Sequence, residues 1–222
     1  MIDRLLSFVA PHHCYGCDKT GTLLCLNCEY DIISEPFETC ISCDQQLAGP
    51  TGVCQGCTVA YDRAWCVGRR QDTLQYLIGN YKFTNAKAAH RTLATLLHKR
   101  LPQLPENTVI VPVPTVSAHI RQRGYDHMLL MAKSLSGIRG VPVDTILERK
   151  TSTKQRDASR SMRIKQAKAA FVCRRPLNAA RTYLLIDDVV TTGATANYAA
   201  AALKAAGAET VWLGAISRQP LD

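Results

Sequence analysis

Residues Tyr183 to Thr195 read Tyr-Leu-Leu-Ile-Asp-Asp-Val-Val-Thr-Thr-Gly-Ala-Thr, and this stretch limits the fold more than any other part of the chain. Leu184 to Ile186 is a short apolar run without alternation, which suits a strand buried on both faces of a parallel sheet. Two adjacent carboxylates follow, Asp187 and Asp188, and then a small, hydroxyl-rich loop, Thr191 to Thr195. Ala194 to Ala206 contains eight alanines and is stopped by Gly207, which predicts a helix. Strand, polar loop and helix in this order place a ligand site at the carboxyl end of a strand in an open α/β sheet.

The residue types indicate what such a site takes. A helix N-terminus offers free backbone N–H groups and the positive end of a dipole, so the loop is a phosphate cradle. Gly193 lets the backbone approach an anion, and Thr191, Thr192 and Thr195 add hydroxyl donors. Paired carboxylates suit a vicinal diol, each accepting a hydrogen bond from one hydroxyl. Phosphate plus diol describes a ribose 5-phosphate unit. The stretch resembles the 13-residue motif by which type I phosphoribosyltransferases bind phosphoribosyl pyrophosphate (PRPP): four mostly apolar residues, Asp-Asp, three variable residues, Thr-Gly-x-Thr. The resemblance assigns Val189, Val190, Thr191, Thr192, Gly193, Ala194 and Thr195 to PRPP and phosphate binding. It makes Asp187 and Asp188 the catalytic pair if the chain turns PRPP over.

Ten cysteines are unusual unless they hold metal or pair oxidatively. Eight form four Cys-x-x-Cys pairs: Cys14/Cys17, Cys25/Cys28, Cys40/Cys43 and Cys54/Cys57. Two residues between thiolates let one tight knuckle present both sulfurs to a tetrahedral zinc, and two knuckles complete a site. Four knuckles therefore hold one or two structural Zn²⁺. Consecutive pairing (first with second, third with fourth) and cross-braced pairing both fit the spacing. Little of this segment is periodic enough to build a core, so metal would supply its folding energy. Cys66 and Cys173 stand alone and are expected to be buried, inert thiols.

The 222 residues suffice for one α/β domain plus a small module, and 46% hydrophobic content allows a real core. We place the module at residues 1–60 and the α/β domain at 61–222. No apolar run approaches the ~18 residues of a membrane span. Met1 to Ala10 is short, with an acid at Asp3, and is a poor signal peptide; its amphipathic pattern suggests a helix docked on the protein. A cytoplasmic location is expected.

Further signals lie between module and motif. Trp65 to Arg70 reads as a strand, Leu74, Leu77 and Ile78 as a helical face, and Ala86 to Leu101 as a helix burying Leu93, Leu96 and Leu97. His90 and His98 are expected on its exposed side. Val109 to Pro114 reads as a strand of the sheet. The loop expected after it carries Arg121-Gln-Arg-Gly-Tyr-Asp126, whose Arg121, Arg123 and Gly124 suit a pyrophosphate. A helix from Asp126 to about Ser136 follows. Arg149 to Arg181 holds eleven Lys/Arg and a single acid, Asp157, and so much of the +9 net charge. Thr151 to Arg160 reads as a long loop running into a helix near Ser161 to Ala170. Arg160, Arg163, Lys165 and Lys168 share overlapping helical faces. With Arg174 and Arg175 they suit a phosphodiester backbone, and the loop also suits a lid over bound PRPP.

The ordered set is similar to the ComF family of competence proteins over nearly the full length. It comprises four Cys-x-x-Cys knuckles, Tyr81-Lys-Phe83, Val-Pro-Val-Pro114 before Arg-x-Arg-Gly-Tyr125, Arg149-x-x-x-Thr153-x-Gln155, Arg163, Phe171 and the PRPP motif. The resemblance implies an α/β fold: a phosphoribosyltransferase-like parallel sheet flanked by helices, joined to an N-terminal zinc ribbon. It also implies handling of single-stranded DNA during natural transformation, Mg²⁺ accompanying PRPP, and Lys82 beside the pyrophosphate. The competence DNA translocase and DNA-processing proteins are implied as partners. A working Mg²⁺-dependent phosphoribosyltransferase with an unknown acceptor is the alternative. The family pattern Arg-Gly-Phe/Tyr-Asn-Gln is here Arg123-Gly-Tyr-Asp126-His127, and Gln166 stands where an Asn is usual.

Overall fold

A computed structural model describes residues 12–47, 52–83, 88–150 and 170–220. The strand Thr182–Val190 (β5) lies inside a parallel sheet, and all but one of its residues are buried. On one side β5 pairs with β6 (Thr210–Arg218), which pairs with β1 (Arg63–Arg69). On the other side it pairs with β2 (Thr108–Pro112). The order is β1-β6-β5-β2, all parallel. All four carboxyl ends therefore meet along one edge.

Successive strand side chains point to opposite faces. Leu184 and Ile186 of β5 pack on one face with α2 (Asp72–Phe83), α3 (Ala89–Arg100) and α5 (His127–Arg139). Tyr183 and Leu185 pack on the other with α6 (Ala194–Ala205). The small alanines of α6, such as Ala196, Ala199 and Ala200, let that helix lie close to the sheet. Leu93, Leu96 and Leu97 are fully buried, as their helical spacing predicts. A two-stranded antiparallel hairpin, β3 (Leu147–Arg149) with β4 (Phe171–Cys173), lies apart from the main sheet.

The cysteine knuckles pair consecutively, which removes the cross-braced arrangement. Cys14, Cys17, Cys25 and Cys28 form one group and Cys40, Cys43, Cys54 and Cys57 the other. The two groups repeat one turn. Cys14 O accepts from Asp18 N at 2.8 Å and Cys40 O from Asp44 N at 2.9 Å. Asp18 and Asp44 take left-handed φ values of 62° and 64°, which Asp tolerates better than most residues. Cys25 N donates to Cys14 Sγ and Cys54 N to Cys40 Sγ, both at 3.3 Å. The helix α1 (Leu26–Ser34) follows Cys25. The first group packs with Leu23, Leu24 and the α2–α3 face, whereas Ile41 beside the second group joins the α6 face.

Several expectations change. Arg121 and Arg123 lie in the last turn of a short helix, α4 (Ser117–Arg123), rather than in a loop, and left-handed Gly124 closes it. The helix after Asp126 runs to Arg139, because Gly140 rather than Gly137 takes the left-handed cap. Tyr81-Lys-Phe83 belongs to the end of α2. His90 and His98 are half-buried: His90 Nδ1 is 2.6 Å from Ser134 Oγ, and burial lowers the His98 pKa. Cys66 is buried with its thiol pushed up to about 12, but Cys173 is only partly covered. The expected N-terminal helix, the Thr151–Arg160 loop and the helix carrying Arg160, Arg163, Lys165 and Lys168 lie outside the described residues.

Candidate functional site

The site forms where β5 and β2 end. Asp187 and Asp188 are the last polar residues of β5 and both are buried. Beyond them Gly193, at φ 73°, begins α6 with its backbone in the left-handed region that favours glycine. Thr191, Thr192 and Thr195 are exposed around it. A free helix N-terminus thus stands beside a pair of carboxylates, the arrangement that suits an anion next to a diol.

The two carboxylates differ. Asp188 is held by two partners: Lys82 Nζ donates to Oδ1 at 2.7 Å, and His127 Nε2 lies 2.6 Å from Oδ2. Burial alone would raise its pKa, but the His127 hydrogen bond and the Lys82 charge outweigh that and hold it well below the usual carboxylate range. Among the described residues Asp187 has no ion-pair partner; its Oδ1 accepts from the Asp188 backbone N–H at 2.9 Å. Burial first, and the charge of Asp188 second, push Asp187 up to about 7. The site therefore pairs a firmly ionised acid with one poised to lose a proton.

His127 was not picked out as a site residue by sequence, where it registered only as a departure from a family pattern. It opens α5, and its backbone is fixed by two tyrosines. Tyr81 Oη donates to His127 O, and Tyr125 Oη donates to Tyr81 O at 2.6 Å. Arg123 Nη1 lies 3.0 Å from His127 Nδ1. A guanidinium can only donate, so Nδ1 accepts and the Nε2–H faces Asp188. The result is a chain from Arg123 through His127 to Asp188 and on to Lys82. Asp126 sits beside it as the N-cap of α5, accepting from Met128 N at 3.0 Å and Leu129 N at 3.2 Å and from Thr115 Oγ1 at 2.9 Å.

These groups open onto a cavity of about 280 Å³, lined by Lys82, Arg123, His127, Asp187, Asp188 and Thr195 among others. Arg149 also lines it, held 4.9 Å over the Phe171 ring. The sequence places Arg149 at the edge of a basic stretch and in the Arg149-x-x-x-Thr153-x-Gln155 pattern, without assigning it to the site; its position follows from the β3–β4 hairpin. Arg121 is exposed and does not line the cavity. Arg174 and Arg175 follow β4 and do not line this cavity; they pair with Glu148 at 2.5 Å and with Asp144, and Arg174 lines an adjoining cavity that shares Thr115 and Arg149 with it. A cavity of about 400 Å³ between α1 and α2 is lined by Asp31, Glu35, Glu38, Asp72 and Arg69, and contains none of the strand-end acids.

Each cysteine group has the donor geometry for zinc. The four sulfurs of each lie within 4.8 Å of one another, with Cys17–Cys25 at 3.6 Å and Cys43–Cys54 at 3.5 Å. Zinc–thiolate bonds of ~2.3 Å in a tetrahedron set sulfur–sulfur distances of roughly 3.8 Å. Burial raises Cys14 and Cys40, but backbone N–H donors outweigh it and bring the thiols to about 6 and about 7. In the same groups burial and the neighbouring sulfurs raise Cys28 and push Cys57 up to about 12, so the shifts within each group oppose one another.

The chain is 33% identical to competence protein F of Haemophilus influenzae, over 93% of this chain and 95% of that one. It belongs to the ComF family of competence proteins. It is also 29% identical to the DNA utilization protein YhgH of Salmonella typhi, over 76% and 78% of the two chains. Competence protein ComFC of Streptococcus pneumoniae is 25% identical over 89% of this chain and 84% of that one. No family model matches. Among solved structures, the glutamine PRPP amidotransferase from B. subtilis complexed with ADP and GMP aligns with a TM-score of 0.42 at 19% identity, over 57% of this chain and 26% of that one. The allosteric regulatory enzyme of purine biosynthesis aligns with a TM-score of 0.43 at 18% identity, over 58% and 25%. The ComF chain thus spans about a quarter of either protein. Among the described residues no helix is long and apolar enough to cross a membrane.

Proposed function

We propose that this ComF-family chain handles single-stranded DNA in natural transformation and carries a ribose-phosphate site that takes PRPP or another ribose-phosphate ligand. The observation that carries the site is the join of Asp187 and Asp188 to the Gly193 loop at one strand end, with Lys82, Arg123 and Arg149 around one cavity. Diol hydroxyls donate to the carboxylates, the 5-phosphate meets the α6 N-terminus, and the cations hold the pyrophosphate. Mg²⁺ would accompany the ligand and offset its charge. The basic stretch from Arg149 to Arg181 supplies the phosphodiester contacts, through Arg160, Arg163, Lys165, Lys168, Arg174 and Arg175.

A second reading, turnover of PRPP, is favoured by the Asp pair itself. An ionised Asp188 beside the ribose would stabilise positive charge developing at its anomeric carbon. Isothermal titration of Mg²⁺-PRPP tests the site. Asp187→Ala combined with Asp188→Ala abolishes binding while zinc content stays constant; unchanged affinity removes the site assignment. Pyrophosphate release across a panel of bases then separates binding from turnover.

A further inference from the structure

We propose that the second cysteine group is a working part of the ribose-phosphate site, and that its metal occupancy sets the order of the Gly193 loop. The contact is Ser42, between Cys40 and Cys43. A Cβ placed on Gly193 would lie 3.5 Å from Ser42 Oγ and 3.6 Å from Ser42 Cα, so knuckle and loop approach to within the width of one methyl group. The Ser42 carbonyl accepts from Arg218 Nη2 at 3.2 Å.

Arg218 is fully buried at the end of β6, in register with Val190, three residues before Gly193. On the other flank of the group, Ala60 N donates to Asn197 Oδ1 at 2.7 Å, while Asn197 N donates to Gly193 O at 2.9 Å. Arg69, at the end of β1, ties down Asp44 at 2.8 Å. The loop and first turn of α6 are therefore bracketed by residues on both sides of one four-cysteine group.

The first group is placed differently. A Cβ on Gly16 would meet Thr73 of α2, and Cys14 packs with Leu23 and Leu24 on the α2–α3 face. Among the described residues of 38–47 and 52–60 few apolar side chains are buried, so a metal at Cys40, Cys43, Cys54 and Cys57 holds their shape. Losing it frees Ser42 and Ala60 together and leaves the loop ordered only by its own helix. The buried guanidinium of Arg218, held by the Ser42 carbonyl, also offsets part of the net negative charge of a zinc tetrathiolate beside an anion site.

Hydrogen exchange on the zinc-loaded full chain tests this, with metal content measured in parallel. Cys57→Ser is expected to speed exchange of the 191–197 amides by about tenfold or more, while Cys28→Ser, which costs the first group its metal, leaves those amides as they are. If Cys57→Ser does not fold, Asn197→Ala, which cuts the Ala60 tie and keeps every thiolate, is expected to give the same acceleration. Unchanged exchange in the variant that folds, or equal acceleration in Cys28→Ser, overturns the proposal. A second arm rests on the ribose-phosphate reading: affinity for ribose 5-phosphate falls by about tenfold in Cys57→Ser. If the wild-type chain takes neither ribose 5-phosphate nor PRPP, that reading fails, and loop exchange still decides the coupling.

Discussion

Lys82→Met isolates the interaction that holds the Asp pair. Lys82 Nζ lies 2.7 Å from Asp188 Oδ1, with the two side chains 19% and 7% exposed, so solvent screens the pair little. Removing one partner of a fully buried ion pair costs about 3–5 kcal/mol, because a charge is left uncompensated. Here Asp188 keeps His127 on its other oxygen, at 2.6 Å. The expected loss is therefore nearer one charge-assisted hydrogen bond, about 2–3 kcal/mol. Urea unfolding at neutral pH in zinc-containing buffer, followed by circular dichroism, reads it. A double-mutant cycle with Asp188→Asn separates the pair from other effects of the methionine. A coupling energy of about 2 kcal/mol is expected, whereas losses that add to within about 0.5 kcal/mol would refute the argument.

Three further outcomes follow from the same geometry. The folded pKa of Asp187 is raised, so keeping it ionised costs stability that grows as pH climbs from the ordinary carboxylate value towards about 7. A diol that donates to the ionised form releases a proton on binding, so PRPP affinity should rise as pH climbs towards about 7 and level off above it, and Asp187→Asn should flatten that rise in titrations across buffers. Asp126→Ala removes the acceptor for two α5 amides and is expected to cost about 1–2 kcal/mol in thermal unfolding, with Asp126→Asn recovering most of it. Neutralising Arg160, Arg163, Lys165 and Lys168 together should weaken single-strand binding uniformly across sequences and reduce its salt slope; an unaltered slope would move the DNA face elsewhere.

Local sequence carried much of this architecture. The strand, acid pair, loop and alanine helix from Leu184 to Ala205 are contiguous, and each follows from residues that are neighbours in the chain. The Leu93–Leu96–Leu97 face and the Cys-x-x-Cys turns are local in the same sense. Contacts between distant segments leave no local signal in the sequence. His127 reaches Asp188 across 61 residues and Lys82 reaches it across 106. Lys82 came from a family pattern and His127 from none. Knuckle pairing depends on which face of the sheet each group packs against, and Ser42 meets Gly193 only once the second group lies over α6. Arg121 and Arg123 are expected in a loop because they follow the strand ending at Pro114; that connection instead folds into a short helix, capped by left-handed Gly124. Arg174 and Arg175 are basic in sequence but paired to acids brought near by the β3–β4 hairpin.

Fluorescence anisotropy of a labelled single strand tests the central claim most directly. The strand is titrated with the zinc-loaded chain at low and moderate salt, with and without Mg²⁺-PRPP. The account predicts binding that weakens steeply with salt and competition by PRPP, which would put the DNA near the Gly193 loop. Absence of binding at low salt, with PRPP still bound, would contradict the DNA-handling role and leave an enzyme in search of its acceptor.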